Sequence, residues 1–248
     1  MRDNLSEIDV FILCGGLGTR LRAVSKGVPK SMVEINKHPF LNIIITYLAS
    51  FGFKRFILGI GYKADYIVDY YKNYKIPGID ILFSRENIIL GTGGAVSNSR
   101  KLLRRDNLPF LVLNGDSFCK FNPLEFLSFH KQKKASISIL LRKVSRCEDY
   151  GSIKIDKNYR ILSFCEKSSS LKSGWINSGV YLFEKKIFSL MPKKRKFSLE
   201  TDFFPSILNK KCFGFVYNKL FIDIGTPQRY LKARSLFNRN NPVLDKPN

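Results

Sequence analysis

The sequence predicts an α/β fold in which helices cover a mainly parallel sheet and a β-rich portion follows toward the C-terminus. The chain has 248 residues, of which 44% are hydrophobic, and this is enough to fill one large core. Up to residue 143, short apolar runs alternate with longer helical segments, an order typical of parallel sheets. Beyond residue 143, short strands follow one another between turn residues, which indicates an antiparallel portion on the same core.

Strands and helices alternate in the first half of the predicted fold. Gly52 stops the first helix, Pro77 and Gly78 end the second, and Pro123 stands in the first turn of the fourth. The predicted strands are Val10–Cys14, Lys54–Ile60, Ile79–Phe83, Phe110–Leu113 and Ser136–Leu141. The predicted helices are Pro39–Phe51, Lys63–Tyr74, Gly94–Leu103 and Pro123–Lys133.

The second half is predicted to add strands and one last helix, Pro227–Phe237. The predicted strands are Gly151–Ile155, Ile161–Glu166, Ile176–Phe183, Phe213–Val216 and Phe221–Ile224. Asparagine and proline are frequent in residues 238–248, so we expect a flexible tail there. No linker or internal repeat divides the chain, and we therefore expect a single domain over residues 1–237.

The formal net charge is +22. Such a charge is compatible with nucleic-acid binding, with attraction of phosphorylated small molecules, or with lysines spread over a solvated surface. The lysines are scattered, with only short clusters at 131–134 and 193–196, and no nucleic-acid-binding motif accompanies them. We therefore expect no dedicated nucleic-acid binding, only non-specific affinity for polyanions at low salt.

Five cysteines, an odd number without a C-x-x-C pair, are typical of core residues in a reducing compartment. His38 and His130 lie far apart and near no cysteine pair, so a zinc site is not expected. No apolar run approaches the ~18–20 residues of a membrane span, and no signal region follows the N-terminus. These features predict a soluble, cytoplasmic protein with no membrane contact.

The stretch VFILCGGLGTRLR combines a buried strand with a glycine-rich turn and arginines. Gly15, Gly16 and Gly18 leave the backbone N–H groups open to an anion, and Arg20 adds a planar cationic fork. The turn follows a strand at the edge where α/β sheets bind ligands. Pro29-Lys30 can bring a further cation to the same anion. The stretch therefore predicts a polyphosphate site.

This turn matches neither common phosphate-binding pattern. The pattern G-x-x-x-x-G-K-[ST] requires glycine where Arg20 stands, and G-x-G-x-x-G requires glycine where Leu21 stands. The pattern present is G-G-x-G-T-R-L followed by P-K.

That pattern resembles the signature of the sugar-1-phosphate nucleotidylyltransferases, or nucleotide-sugar pyrophosphorylases. The resemblance spans residues 8–235, with further motifs in the expected order: LGTGGA, LNGDS, Tyr150-Gly151, FCEK, INSGVYLF, FSLETDF and FIDIGTPQRY. Its wording is particularly similar to the D-glycero-α-D-manno-heptose 1-phosphate guanylyltransferases. Mannose-1-phosphate guanylyltransferases and glucose-1-phosphate thymidylyltransferases are similar alternatives.

The resemblance implies a Rossmann-like three-layer nucleotidyltransferase fold of the glycosyltransferase-A type. Residues 8–143 would bind the nucleotide and residues 144–237 the sugar. The implied substrates are a nucleoside triphosphate, with GTP expected, and a sugar 1-phosphate; the products are a nucleoside-diphosphate sugar, a precursor of surface polysaccharide, and pyrophosphate. The implied cofactor is Mg²⁺, and a homo-oligomer is one candidate assembly.

The resemblance also implies roles for individual residues. The charged set would be Arg20 on the β- and γ-phosphates, Lys30 between the two substrates, Lys167 on the sugar phosphate, and Asp116 and Asp223 on Mg²⁺. The nucleotide would lie against Gly15, Gly16, Gly18, Thr19, Gly91, Thr92 and Gly93, with Asn114 and Glu86 as further candidates. The sugar would lie against Gly151, Glu166, Asn177 and Gly179.

Other interpretations remain open for these residues and for the chain. Asp116 and Asp223 are also typical turn residues after strands, and Ser31 stands where the family often has proline. A non-catalytic nucleotide-sugar-binding regulator could share the fold, and a polyanion-binding protein could share the charge. Retention of Arg20 and Lys30 with both aspartates favours an enzyme.

Overall fold

The computed structural model describes residues 4–104, 107–144, 152–165 and 173–237. The strands, β1 to β13 in chain order, are Asp9–Leu13, Glu34–Ile35, His38–Pro39, Arg55–Ile60, Asp80–Arg85, Phe110–Asn114, Ser117–Cys119, Ile137–Val144, Ser152–Ile155, Ile161–Cys165, Gly174–Phe183, Cys212–Tyr217 and Phe221–Asp223. The helices, α1 to α7, are Arg22–Ser25, Phe40–Ser50, Ala64–Asn73, Gly91–Ser99, Pro123–Gln132, Phe204–Ser206 and Pro227–Leu236. The expected flexible tail, residues 238–248, lies outside the described residues.

Nine strands form the main sheet within the described residues, in the order β10-β9-β11-β6-β1-β4-β5, with β8 beside β11 and β12 beside β8. The pairs β6·β1, β1·β4 and β4·β5 are parallel, whereas β11 runs antiparallel to β6, β8 and β9. The predicted α/β fold with an antiparallel addition is therefore confirmed. One pairing differs from the prediction, because β12 runs parallel to β8.

The main sheet separates two apolar cores, which makes the fold three-layered. Along β1, Val10 and Ile12 pack into one core and Phe11 into the other, as the alternation of side chains in a strand requires. All three are fully buried, because helices or loops cover both faces of the parallel part.

Helix α4 begins earlier in the chain than the sequence predicts. The prediction was Gly94–Leu103, whereas α4 is Gly91–Ser99. The carbonyl oxygen of Phe197 accepts hydrogen bonds from the N–H groups of Gly93 and Gly94, at 3.0 and 3.2 Å. This distant segment satisfies donors of the first turn, so a glycine-rich sequence that is weakly helical by itself is held in a helix.

A separate two-stranded antiparallel sheet brings two distant segments of the chain together. Strand β13 pairs antiparallel with β7, with Asp223 opposite Ser117. The N–H of Ile224 donates to the carbonyl oxygen of Asp116 at 3.0 Å. The two aspartates therefore lie on adjacent segments of backbone although more than 100 positions separate them in the sequence.

No helix in the described part of the chain is both long and apolar enough to cross a bilayer.

Candidate active site

The glycine-rich turn follows β1 at its carboxyl end. Gly18 has φ +59°, a left-handed conformation that favours glycine, and a Cβ there would lie 3.0 Å from Cβ of Lys30. A Cβ at Gly15 would lie 2.8 Å from Oε1 of Glu86. By contrast, a Cβ at Gly16 would have no atom within 4 Å. Backbone conformation and packing therefore favour glycine at position 18, a side chain at position 15 would require Glu86 to move, and Gly16 leaves bare backbone facing open space.

Thr19 and Arg20 stand in the short 3-10 turn that follows, and both are exposed. The guanidinium of Arg20 is thus accessible rather than packed into the core. Neither residue lines the cleft described below.

The carboxylates of Asp116 and Asp223 are each paired with a cationic side chain, and together they form an ion cluster at the edge of the sheet. The ammonium of Lys30 donates to Oδ2 of Asp116, and the hydroxyl of Ser117 donates to Oδ1 at 3.1 Å. Arg229 Nη1 and the N–H of Gly225 donate to Oδ1 of Asp223, at 3.1 and 2.9 Å.

Lys30 connects the two halves of this ion cluster. A Cβ at Gly225 would lie 2.7 Å from Asp223 Oδ1 and 3.6 Å from the ammonium nitrogen of Lys30. Both aspartates therefore lie close to one cation, in the position that the sequence predicts for a metal site. The pairing of Arg229 with Asp223 was not predicted from the sequence.

The ion cluster offers two carboxylates, those of Asp116 and Asp223, as ligands for a divalent cation. Within residues 4–104, 107–144, 152–165 and 173–237, no group of three or more histidine, cysteine, aspartate or glutamate side chains could hold a metal ion. An ion between Asp116 and Asp223 would therefore take further ligands from water and substrate, as Mg²⁺ commonly does. Both carboxylates already neutralise a positive charge, since Asp116 is paired with Lys30 and Asp223 with Arg229.

A cleft of about 250 Å³ lies between the glycine-rich turn and the start of α4. The residues predicted to bind nucleotide that line it are Gly15, Gly16, Gly91 and Thr92, and Asp116 lies at its border. Asn114 and Glu86, the two further candidates, also line it. Gly93 is the third residue of α4, where a Cβ would clash with the ring of Phe197 at 2.2 Å. Packing of α4 therefore requires glycine at position 93, and its contact with the nucleotide stays a prediction.

The two further candidates differ in their polar contacts. Oδ1 of Asn114 is buried and has no hydrogen-bond partner among the described residues. Glu86 accepts the N–H of Leu90 at 3.3 Å, and burial raises the pKa of its carboxyl. Asn114 therefore offers the cleft an acceptor, whereas Glu86 also holds the loop before α4.

Gly179 and Asn177 lie on β11 beside this cleft. Gly179 has φ +74°, and a Cβ there would lie 2.4 Å from Nδ2 of Asn114. Its N–H donates to Oδ1 of Asn177 at 2.9 Å. The two predicted sugar-binding residues are thus brought together next to the nucleotide cleft.

A partly buried chain of hydrogen bonds connects Asn177 to the nucleotide cleft. Asn177 Nδ2 donates to the hydroxyl of Tyr181 at 2.8 Å, and that hydroxyl donates to Glu200 Oε1 at 3.3 Å. Thr92 Oγ1 donates to Glu200 Oε2 at 2.7 Å. Burial raises the pKa of Tyr181 well above its usual range, so its hydroxyl remains a donor.

Glu200 and Tyr181 were not among the predicted site residues. Glu200 belongs to the motif FSLETDF and Tyr181 to the motif INSGVYLF, so the sequence contained a signal for both residues. Gly151, Glu166 and Lys167, which were predicted to contact the sugar and its phosphate, lie outside the described residues.

The three-layer α/β fold, the glycine-rich turn and the two cation-paired aspartates are typical of proteins that bind phosphate groups. The model of the nucleotidyl transferase family matches residues 9–240, and the chain belongs to this family.

Two curated relatives and one solved structure show the similarity in detail. The chain is 37% identical over 223 residues to the D-glycero-alpha-D-manno-heptose 1-phosphate guanylyltransferase of Campylobacter jejuni, covering 90% of this chain and 97% of that protein. It is 37% identical over 228 residues to the enzyme of the same name from Aneurinibacillus thermoaerophilus, with 92% and 97% covered. The crystal structure of HddC from Yersinia pseudotuberculosis complexed with GMP-PN matches with a TM-score of 0.83 and 40% identity, covering 93% of this chain and 99% of that one. The chain is therefore a nucleotidyltransferase.

Proposed function

We propose that this chain transfers a guanylyl group from GTP to D-glycero-α-D-manno-heptose 1-phosphate. The products are the GDP-heptose and pyrophosphate. The observation that carries the proposal is the ion cluster of Lys30, Asp116 and Asp223 at the border of the nucleotide cleft. The names of the relatives that cover nearly the whole chain support the choice of base and sugar.

In this reaction a phosphate oxygen of the sugar 1-phosphate forms a bond to the α-phosphorus of GTP. The bond from the α-phosphorus to the β-phosphate bridging oxygen breaks, and pyrophosphate leaves with that electron pair. The attacking oxygen is already ionised, so the reaction needs no general base. Catalysis then depends on positioning and on neutralising charge.

We assign the nucleotide contacts to the glycine-rich turn and the start of α4. The backbone N–H groups of Gly15, Gly16, Gly18 and Thr19 would approach the triphosphate, and Gly91 and Thr92 would flank the base. The exposed Arg20 would hold the β- and γ-phosphates and stabilise pyrophosphate as it leaves. Lys30 would draw the sugar phosphate and the α-phosphate together.

Lys30 would have to leave Asp116 in order to contact the substrates. Its ammonium is paired with Asp116 in the described structure, and its stem is mostly buried beneath Gly18. A cation bound by the aspartates would release the ammonium toward phosphate. In this proposal the ammonium of Lys30 exchanges one partner, the carboxylate of Asp116, for another, the substrate phosphates.

Enzymes of this family generally use a divalent metal ion, and we assign Mg²⁺ to Asp116 and Asp223. Bound there, Mg²⁺ would supply charge neutralisation for the phosphates. Asn177 and Gly179 would contact the heptose, and we also assign Gly151, Glu166 and Lys167 to the sugar side.

The test measures pyrophosphate release for each combination of the common nucleoside triphosphates with the 1-phosphates of heptose, mannose and glucose. We expect the highest kcat/KM with GTP and the heptose, and turnover only with Mg²⁺. Lys30→Ala should lower kcat by orders of magnitude, whereas Lys210→Gln, an exposed lysine before β12, should match the wild type. Higher kcat/KM with mannose 1-phosphate would overturn the sugar assignment, and no turnover with any pair would overturn the enzyme.

A further inference from the structure

We propose that a second pocket, between the end of β8, the strand β13 and the helix α7, binds a phosphoryl dianion. The pocket has a volume of about 340 Å³ and shares no lining residue with the nucleotide cleft. This inference goes beyond the proposed function, because that function gives no role to Arg142 or Lys232, although Asp223 in the lining is also the proposed Mg²⁺ ligand.

The lining of this second pocket is strongly cationic. Arg142 and Lys143 come from the end of β8, and Arg229 and Lys232 come from α7. Asp223 is the one carboxylate in the lining, and Arg229 is paired with it. The described lining therefore carries an excess of positive charge, which an anion would neutralise.

Arg142 is the anchor of the second pocket. Its Nη1 is buried and has no hydrogen-bond partner among the described residues. Its guanidinium carbon lies 5.7 Å from the ring centroid of Phe221, within the range of a cation–π contact. A buried donor without a partner is costly, and a phosphate oxygen placed in the pocket would satisfy it.

Two cations of α7, Arg229 and Lys232, line the second pocket together with Arg142. Arg229, Lys232 and Leu236 follow each other at spacings of three and four residues, so they form one face of the helix. Arg229 is half-buried and Lys232 is exposed at the mouth. Scattered surface lysines do not explain this arrangement, because two partly buried arginines form its inner wall.

A phosphoryl dianion matches the pocket better than a carboxylate would. A tetrahedral phosphate offers several oxygens, which can accept from the planar fork of Arg142 and from the ammonium of Lys232 at the mouth. The group could come from free phosphate or pyrophosphate, or from a phosphorylated sugar. The shared chemistry is the dianionic phosphoryl group, and the experiment separates the two sources.

The test begins with crystals soaked in tungstate, a tetrahedral dianion that anomalous scattering locates directly. We expect a peak within hydrogen-bonding distance of the guanidinium of Arg142. Isothermal titration with phosphate, pyrophosphate and mannose 1-phosphate then identifies the source: the ligand of this pocket is the one whose affinity falls in Arg142→Met, because the proposed sugar subsite does not involve Arg142. These titrations are run with GMP-PN and Mg²⁺ in excess, so that the nucleotide cleft is filled.

Matched variants distinguish binding in the second pocket from a general effect of the protein's positive charge. Arg142→Met should weaken binding about tenfold or more, as expected for loss of a hydrogen bond to a charged group. Lys232→Gln, on the exposed side of α7, should weaken it several-fold and serves if Arg142→Met does not fold. Lys210→Gln, which removes the same charge elsewhere, should bind as the wild type does.

Two results would overturn the proposal: a tungstate peak absent from Arg142, or equal affinity in wild type, Lys232→Gln and Lys210→Gln. Failure of the proposed function would look different. In that case the wild type would release no pyrophosphate, while the peak and the titrations would be unchanged.

Discussion

Replacing Gly179 by alanine tests the close approach of β11 to the nucleotide cleft. A Cβ at this position would lie 2.4 Å from Nδ2 and 2.8 Å from Cγ of Asn114, and the backbone has φ +74°. The left-handed conformation costs an alanine roughly 1–2 kcal/mol, and the clash adds about 1–3 kcal/mol of overpacking. Since Asn114 lines the cleft, displacing it should also lower kcat/KM.

Gly78 provides a matched control for the conformational cost. It has φ +72°, and a Cβ there would have no atom within 4 Å. Gly78→Ala should therefore carry only the conformational cost. Thermal unfolding should place the melting temperature of Gly179→Ala roughly 2–12 °C below that of Gly78→Ala, as a difference of about 1–3 kcal/mol implies at this chain length. Equal melting temperatures and equal kcat/KM would refute the reasoning.

Three further predictions concern single side chains. Arg20→Ala should lower kcat by orders of magnitude with an unchanged melting temperature, because the side chain is exposed; wild-type rates would refute its role. Asp116→Asn should abolish Mg²⁺-dependent pyrophosphate release while circular dichroism stays native, and turnover at ordinary Mg²⁺ would remove it from the metal site. Burial raises the pKa of the thiols of Cys14, Cys119 and Cys212 to about 12. At about pH 8 iodoacetamide should therefore label these three only after unfolding, as peptide mapping would detect, and labelling in the native protein would contradict it.

The sequence was informative where local signals agree with tertiary packing. Strand β1 was predicted within one residue at each end, because an apolar run stops at a glycine-rich turn. Helix α4 was predicted from Gly94, since its glycines are poor helix formers. Its true start depends on the carbonyl of Phe197, which is more than 100 residues away in the sequence and invisible to local patterns.

The same division applies to the site. The motifs around Asp116 and Asp223 predicted two carboxylates in one site, and the pairing of β7 with β13 brings their backbones together. Their cationic partners were only partly predictable. Lys30 belongs to the signature of the glycine-rich turn, so its position was predicted. Arg229 reaches Asp223 because α7 begins only a short turn after β13, and residue spacing alone does not specify that geometry.

Glu200, in the FSLETDF motif, connects two parts of the site through hydrogen bonds. Its two carboxylate oxygens accept from Tyr181 and Thr92, and Tyr181 accepts from Asn177. Under the proposed function, Asn177 contacts the sugar and Thr92 the nucleotide, so one side chain connects the two substrate subsites. A shift of Thr92 on nucleotide binding would change the hydrogen bond available to Tyr181 and therefore the orientation of Asn177. Because Tyr181 is buried and the other three residues are partly buried, each polar group needs its partner, and the network favours a single arrangement of both subsites.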